Sequence, residues 1–298
     1  MKNDMSRRDL LKNSAGLAGI GFLGNSMEHR FKEADKQVGA DLKGKVNHSA
    51  CRWCYDKIPF EELVVNAKKI GLQSIELTGP EEWDILKKYD MTAAIGWGKY
   101  PEKMGLPNFF NKIQNHDKLV EFYEDLIPRA AKAGVKNLIT FSGNRDGLSD
   151  EQGLLNCKKG LQRIMKTAEK HDVTISMELL NSKVNHKDYQ CDHTEWGSVL
   201  CEMVGSNKFK LLYDIYHMQI MEGDVIRSIQ KAAPWILHYH TAGVPGRGPL
   251  DTQQELYYPA IMRAIVATGY RGFIGHEFMP SKDAKAELKA AIAACAGD

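Results

Sequence analysis

Residues 116–141, HDKLVEFYEDLIPRAAKAGVKNLITF, carry a helix, its stop and a strand in one run. Leu119, Phe122, Leu126 and Ala130 recur three or four residues apart, which lays one apolar stripe along a helix over His116–Ala133. Gly134 stands where that helix should end, the favoured place for a left-handed cap. Beyond it Lys136–Phe141 is a short apolar run, as a strand buried on both faces should be. A helix feeding a buried strand through a tight turn is the unit from which parallel α/β sheets are built.

The same alternation continues on both sides of this stretch. Strands are predicted over Val46–Cys51, Gln73–Leu77, Thr92–Ile95, Lys136–Phe141, Thr174–Glu178, Phe209–Asp214, Ile236–Thr241 and Gly272–Phe278. Helical patterns fall between them, over Phe60–Ile70, Glu81–Lys88, His116–Ala133, Gly153–Lys170, Thr194–Val204, Asp224–Lys231, Glu255–Ala267 and Ala284–Ala294. Gly71 and Gly269 repeat the stop signal of Gly134. Eight such pairs within about 250 residues point to a closed (β/α)8 TIM barrel, an α/β fold of one domain over residues 45–298. The doubly wound open sheet is the alternative. Against it, no Gly-rich phosphate turn follows the first strand, and the alternation runs without interruption.

The chain has 298 residues, of which 43% are hydrophobic and 26% charged, ordinary for a globular protein. Its net charge of +2 offers no basic footprint for nucleic acid. The N-terminus reads differently. Ser6-Arg7-Arg8-Asp9-Leu10-Leu11-Lys12 precedes a weakly apolar, Gly-rich run from Ala15 to Leu23, too short for a stable membrane anchor. The paired arginines resemble a twin-arginine export signal over residues 1–26, with a polar linker over 27–44; export to the periplasm is the expectation. An amphipathic helix with incidental arginines, on a cytoplasmic protein, is the other reading. Six cysteines stand at 51, 54, 157, 191, 201 and 295. Cys51-Arg52-Trp53-Cys54 is a lone C-x-x-C, more consistent with small buried residues than with a disulfide or a zinc ribbon.

Barrel enzymes place their chemistry at the C-terminal ends of strands. The last four predicted strands deliver acids and imidazoles there: Glu178, then Asp214 with His217 beyond it, then His238 and His240, then His276 and Glu277. Carboxylates converging on one point raise one another's pKa, and a divalent cation removes that conflict. Glu178, Asp214, His240 and Glu277 supply three oxygens and one nitrogen, suiting Mn²⁺, Mg²⁺, Co²⁺ or Zn²⁺ with positions open for substrate. His238, two residues from His240, shares its strand face and could serve as its partner. His193 has less claim.

The stretches Leu212–Gln219, Ala242–Arg247 and Gly275-His276-Glu277 resemble the hydroxypyruvate isomerase family, one of the xylose-isomerase-like barrels that also include ketose 3-epimerases and endonuclease IV. The resemblance covers the chain from about residue 46 to its end. It implies Glu178, Asp214, His240 and Glu277 as metal ligands, with Glu178 and Glu277 also the acid–base pair. It further implies proton transfer between adjacent carbons through an enediolate, hydroxypyruvate becoming tartronate semialdehyde; a ketose 3-epimerase or sugar isomerase is the alternative. One departure bears on that choice. Bacterial hydroxypyruvate isomerases tend to carry Gln at the third ligand, and His240 is the choice of the epimerases. His217 is expected to reach a substrate oxygen or to be satisfied by its own loop. Arg247, and less strongly Lys183, are candidates to meet a substrate carboxylate. Trp53 and Trp97 either wall the pocket or pack the barrel. The partner is a small hydroxy-carbonyl or sugar molecule, and related barrels form dimers or tetramers. A repair endonuclease would need further metal-binding histidines and a basic surface. A carbohydrate-binding barrel without catalysis would have no need of two opposed carboxylates.

Overall fold

The strands are β1 (Asn47–Cys51), β2 (Ser74–Glu76), β3 (Asn137–Thr140), β4 (Thr174–Glu178), β5 (Phe209–Asp214), β6 (Ile236–Thr241) and β7 (Phe273–His276). In the computed structural model, which describes residues 42, 44–102 and 104–296, they form one parallel sheet in the order β2-β1-β7-β6-β5-β4-β3. Nearly every strand residue is buried, so both faces of the sheet are covered and the strands show no apolar–polar alternation in exposure.

The third predicted strand, Thr92–Ile95, takes no regular strand form, and it is the segment that closes the ring. Ile75 N–H donates to Thr92 O at 3.3 Å and Leu77 N–H to Ile95 O at 2.7 Å, while Ile139 N–H donates to Gly96 O at 3.0 Å. It thus touches the free edges of both β2 and β3. Ala93, Ala94 and Gly96 carry little side chain to hold a pleat, and a Cβ at Gly96 would stand 2.9 Å from Val135. The outcome is the expected α/β barrel, with seven regular strands and an irregular eighth.

The helices α1 (Phe60–Lys69), α2 (Trp83–Lys88), α3 (His116–Ala133), α4 (Asp150–His171) and α5 (Thr194–Val204) alternate with the strands. So do α7 (Val225–Ala232), α8 (Tyr258–Ala267) and α9 (Ala284–Ala296). The cap at the end of α3 is as predicted: Gly134 is left-handed at φ 83°. A helix that the sequence did not suggest, α6 (Ile215–Met221), begins directly where β5 ends. Asp214 caps it, its Oδ1 accepting from His217 N–H at 3.2 Å. With no loop between strand and helix, the apolar run Ile215–Met221 shows no boundary in sequence.

Inside the barrel the apolar strand residues are joined by an unusual polar column: His48, Ser49, Ser74, Glu76, His238, His240 and His276 are all buried. All six cysteines are buried free thiols, so Cys51 and Cys54 form no disulfide. The expected export signal over 1–26 and nearly all of the linker over 27–44 lie outside the described residues. The described chain belongs to one compact unit, Asp41–Asp298. Among the described residues no helix is long and apolar enough to cross a membrane.

Candidate active site

Parallel register sets the level of the site. Glu178 is the last residue of β4, Asp214 the last of β5 and paired with His240 on β6, and Glu277 follows β7 directly. These four side chains converge, each offering an atom within 4.8 Å of the others, and all are buried. Buried polar atoms in folded proteins almost always have partners. Here Glu178 Oε1 and His240 Nδ1 make no hydrogen bond, although Nδ1 lies 2.8 Å from Glu277 Oε2 and 3.4 Å from Glu178 Oε1. Donor atoms crowded together without hydrogen bonds between them, three carboxylates and one imidazole, fit a divalent cation.

His240 is aimed by a residue that the strand-end reading missed. Glu76, the last residue of β2 and fully buried, accepts from His240 Nε2 at 2.7 Å and sits 2.8 Å from His238 Nε2. A carboxylate on one imidazole nitrogen fixes the other as the one free to bind a metal, here Nδ1. Gly275 makes room for this contact: a Cβ there would strike the Glu76 carboxylate and come 2.8 Å from His240 Cδ2. The signal for Glu76 was present in sequence, an acid within a strand predicted to be buried. His238 takes the partner role expected of it, toward Glu76 rather than toward His240 directly.

The carboxylates are held in different states. Burial pushes Asp214 up to about 7, Arg247 opposing and Glu277 adding to the rise. Burial and the charge of Glu277 also raise Glu178. Burial acts on Glu277 in the same direction, but Arg247 and His240 outweigh it and hold this carboxyl well below its ordinary range. Glu178 and Glu277, in one site, are thus shifted in opposite directions, the separation of two carboxyl groups that acid–base sites use.

Arg247 and Trp53 are drawn into the cluster. Arg247 Nη2 donates to Asp214 Oδ2 at 3.2 Å and to Glu277 Oε2, and its guanidinium lies 5.2 Å from the Trp53 ring and 5.4 Å from Tyr216. Trp53 Nε1 donates to Glu277 Oε1 at 2.6 Å. Trp53, Trp97, Glu178, Glu277, Arg247 and His186 all line a cavity of about 620 Å³. The two indoles therefore wall the pocket, and His186 joins it unforeseen.

His217 and Lys183 stand elsewhere. His217 is fully buried behind Asp214, with Nε2 3.6 Å from Asp214 Oδ2, and does not line the cavity. Asn181 Oδ1 accepts from Val184 and Asn185 N–H, so its amide nitrogen must donate to His217 Nδ1, at 2.6 Å. That leaves the proton on His217 Nε2, facing the carboxylate. Lys183 Nζ donates to Ile220 O and Met221 O at 3.2 and 3.0 Å, satisfying the carbonyls that end α6 rather than facing the pocket. His193 pairs with Asp192 at 2.7 Å, away from the cavity.

Known proteins resemble this chain in sequence and in fold. The chain is 31% identical over 112 residues to the putative hydroxypyruvate isomerase of Homo sapiens, 38% of this chain and 40% of the relative. It is 34% identical over 116 residues to the 2-oxo-tetronate isomerase of Cupriavidus necator, 39% of this chain and 44% of the relative. The matches thus span less than half the length of these relatives. Among solved structures, D-psicose 3-epimerase with D-tagatose from Clostridium cellulolyticum H10 superposes with a TM-score of 0.70. That match covers 84% of this chain and 98% of the other at 15% identity, a likeness of fold. The xylose isomerase-like TIM barrel family matches residues 64–295. This chain belongs to that family.

Proposed function

We propose that the chain is a metal-dependent isomerase that moves a proton between adjacent carbons of a hydroxy-carbonyl compound through an enediolate. The observation that carries this reading is the convergence of Glu178, Asp214, His240 and Glu277 beside a cavity, with Glu178 Oε1 and His240 Nδ1 buried in close contact but in no well-directed hydrogen bond. A divalent cation on those four side chains supplies Lewis-acid polarisation of neighbouring carbonyl and hydroxyl oxygens. Glu277 and Glu178 both line the cavity, Glu277 hydrogen-bonded by Trp53, and are the two carboxylates placed to take a proton from one carbon and return it to the next. Trp53 and Trp97 line the cavity in which the exchange takes place. General acid–base transfer of this kind contributes about 10²–10⁴-fold.

The names of the relatives favour a small hydroxy-keto acid, hydroxypyruvate first, and Arg247 is then the candidate partner of its carboxylate. The engagement of Arg247 with Asp214 and Glu277 favours the alternative, a longer ketose of the epimerase kind, because a guanidinium neutralising two buried carboxylates is not free for a third. Turnover of hydroxypyruvate, ketohexoses and aldoses in D₂O, with EDTA-treated and Mn²⁺-reloaded protein side by side, tests both. Metal-dependent deuterium uptake at a carbon next to a carbonyl is expected. Uptake unaffected by EDTA, or none on any compound, would remove the proposal.

A further inference from the structure

The cavity beside the cluster is larger and more apolar than hydroxypyruvate needs. Hydroxypyruvate has only about seven non-hydrogen atoms, whereas cavities of about 300–1,000 Å³ receive ligands of drug size. The cavity measures about 620 Å³. A free six-carbon sugar fills more of it, but each hydroxyl buried without a partner costs about 1–3 kcal/mol. The wall offers few partners. Its ionisable lining is Glu178, Glu277, Arg247, His186 and Lys99, and the rest is dominated by Trp97, Tyr100, Met104, Leu106, Ile139 and Phe141.

That wall is built as an aromatic surface. Tyr100 packs edge-on to Trp97 at 5.7 Å and to Phe141 at 6.2 Å, and tilts against Phe122 at 5.2 Å. Yet Trp97 stays 39% exposed, as does Trp53 beside Glu277. Large apolar side chains left uncovered in a concave pocket, next to a polar cluster, mark where a ligand's apolar part is received.

Resting on the site as proposed above, we infer that the substrate is a hydroxy ketone whose carbon chain bears an aromatic ring. The hydroxy-carbonyl end meets Glu178 and Glu277, and the ring lies against the Trp97–Tyr100–Phe141 wall. Stacked and edge-to-face ring contacts stabilise such a complex beyond simple area burial.

A matched pair of probes tests this: 1-hydroxybutan-2-one and 1-hydroxy-4-phenylbutan-2-one, which differ only by the ring. Binding to the full chain reloaded with Mn²⁺ is followed by quenching of tryptophan fluorescence, and deuterium exchange at the hydroxymethyl carbon by NMR. The phenyl compound should bind at least about tenfold more tightly. Leu106→Asp, checked for an unchanged circular-dichroism spectrum, should bring the ratio of the two affinities close to one. Leu106→Trp, which fills space along the apolar lining instead of charging it, should lower the same ratio if the aspartate variant fails to fold. Equal affinities in the unaltered protein would overturn the inference, even if both probes exchange deuterium and the isomerase reading stands. Tight binding of the phenyl probe without exchange of either would support the aromatic site and remove the isomerase reading instead.

Discussion

His240 presents Nδ1 to the carboxylates because Glu76 holds its other nitrogen, and this dependence can be measured without any substrate. Glu76→Gln removes the charge but keeps an oxygen in place. Metal affinity should fall about 10–100-fold, as expected when the carboxylate behind a metal-binding histidine is weakened. Isothermal titration of the metal-free variant with Mn²⁺ reads this directly; an unchanged affinity would leave Glu76 as packing alone. The contrast between Glu76 and the four converging residues shows what the sequence made legible. Glu178, Asp214, His240 and Glu277 stand at strand ends, where a barrel must expose its chemistry, so their positions follow from strand assignment. Glu76 also ends a strand, but its role depends on contact across the barrel with β6, and one-dimensional pattern carries no such pairing. Lys183 failed in the opposite way. It follows the strand bearing Glu178, yet its long stem reaches the end of α6, a helix unmarked in sequence.

Among the elements, β4, β5, β6, α3 and α5 have the limits that periodicity predicts, because each is a strong pattern bounded by turns. The Thr92–Gly96 segment departs from prediction because its small side chains let the backbone bridge two strand edges without a regular pleat. Element geometry also explains the glycine of Gly275-His276-Glu277. It lies on β7 opposite His240, where the Glu76 carboxylate crosses from β2. Gly275→Ala should therefore destabilise the barrel by about 1–3 kcal/mol through overpacking. The cause can be isolated by adding Glu76→Ala, which removes the obstructing carboxylate. Thermal melts should show the double variant losing less than the sum of the two single losses. Additive losses would mean that the added methyl group and Glu76 do not meet.

At the scale of the whole molecule, the barrel stores unfavourable charge at one end of its interior, and stability should report on what neutralises it. Asp214 is pushed up to about 7 against an ordinary 3.8, mainly by burial. Between those values the folded chain binds a proton that the unfolded chain has released, so the metal-free protein loses stability as pH rises through this window. A cation acts in the other sense. It requires the carboxylate, must displace the proton at low pH, and gains affinity as pH climbs toward about 7. A cation at about a hundred times its dissociation constant stabilises the fold by about 2.7 kcal/mol. The difference in Tm between Mn²⁺-loaded and EDTA-treated protein should accordingly widen from about pH 5 to about pH 7, then level off. Scanning calorimetry on both forms across that range measures it. A gap that stayed constant would mean that the cation does not compete with the Asp214 proton, and Asp214 would leave the ligand set. A gap that narrowed with rising pH would place the stabilising ion on groups other than these carboxylates.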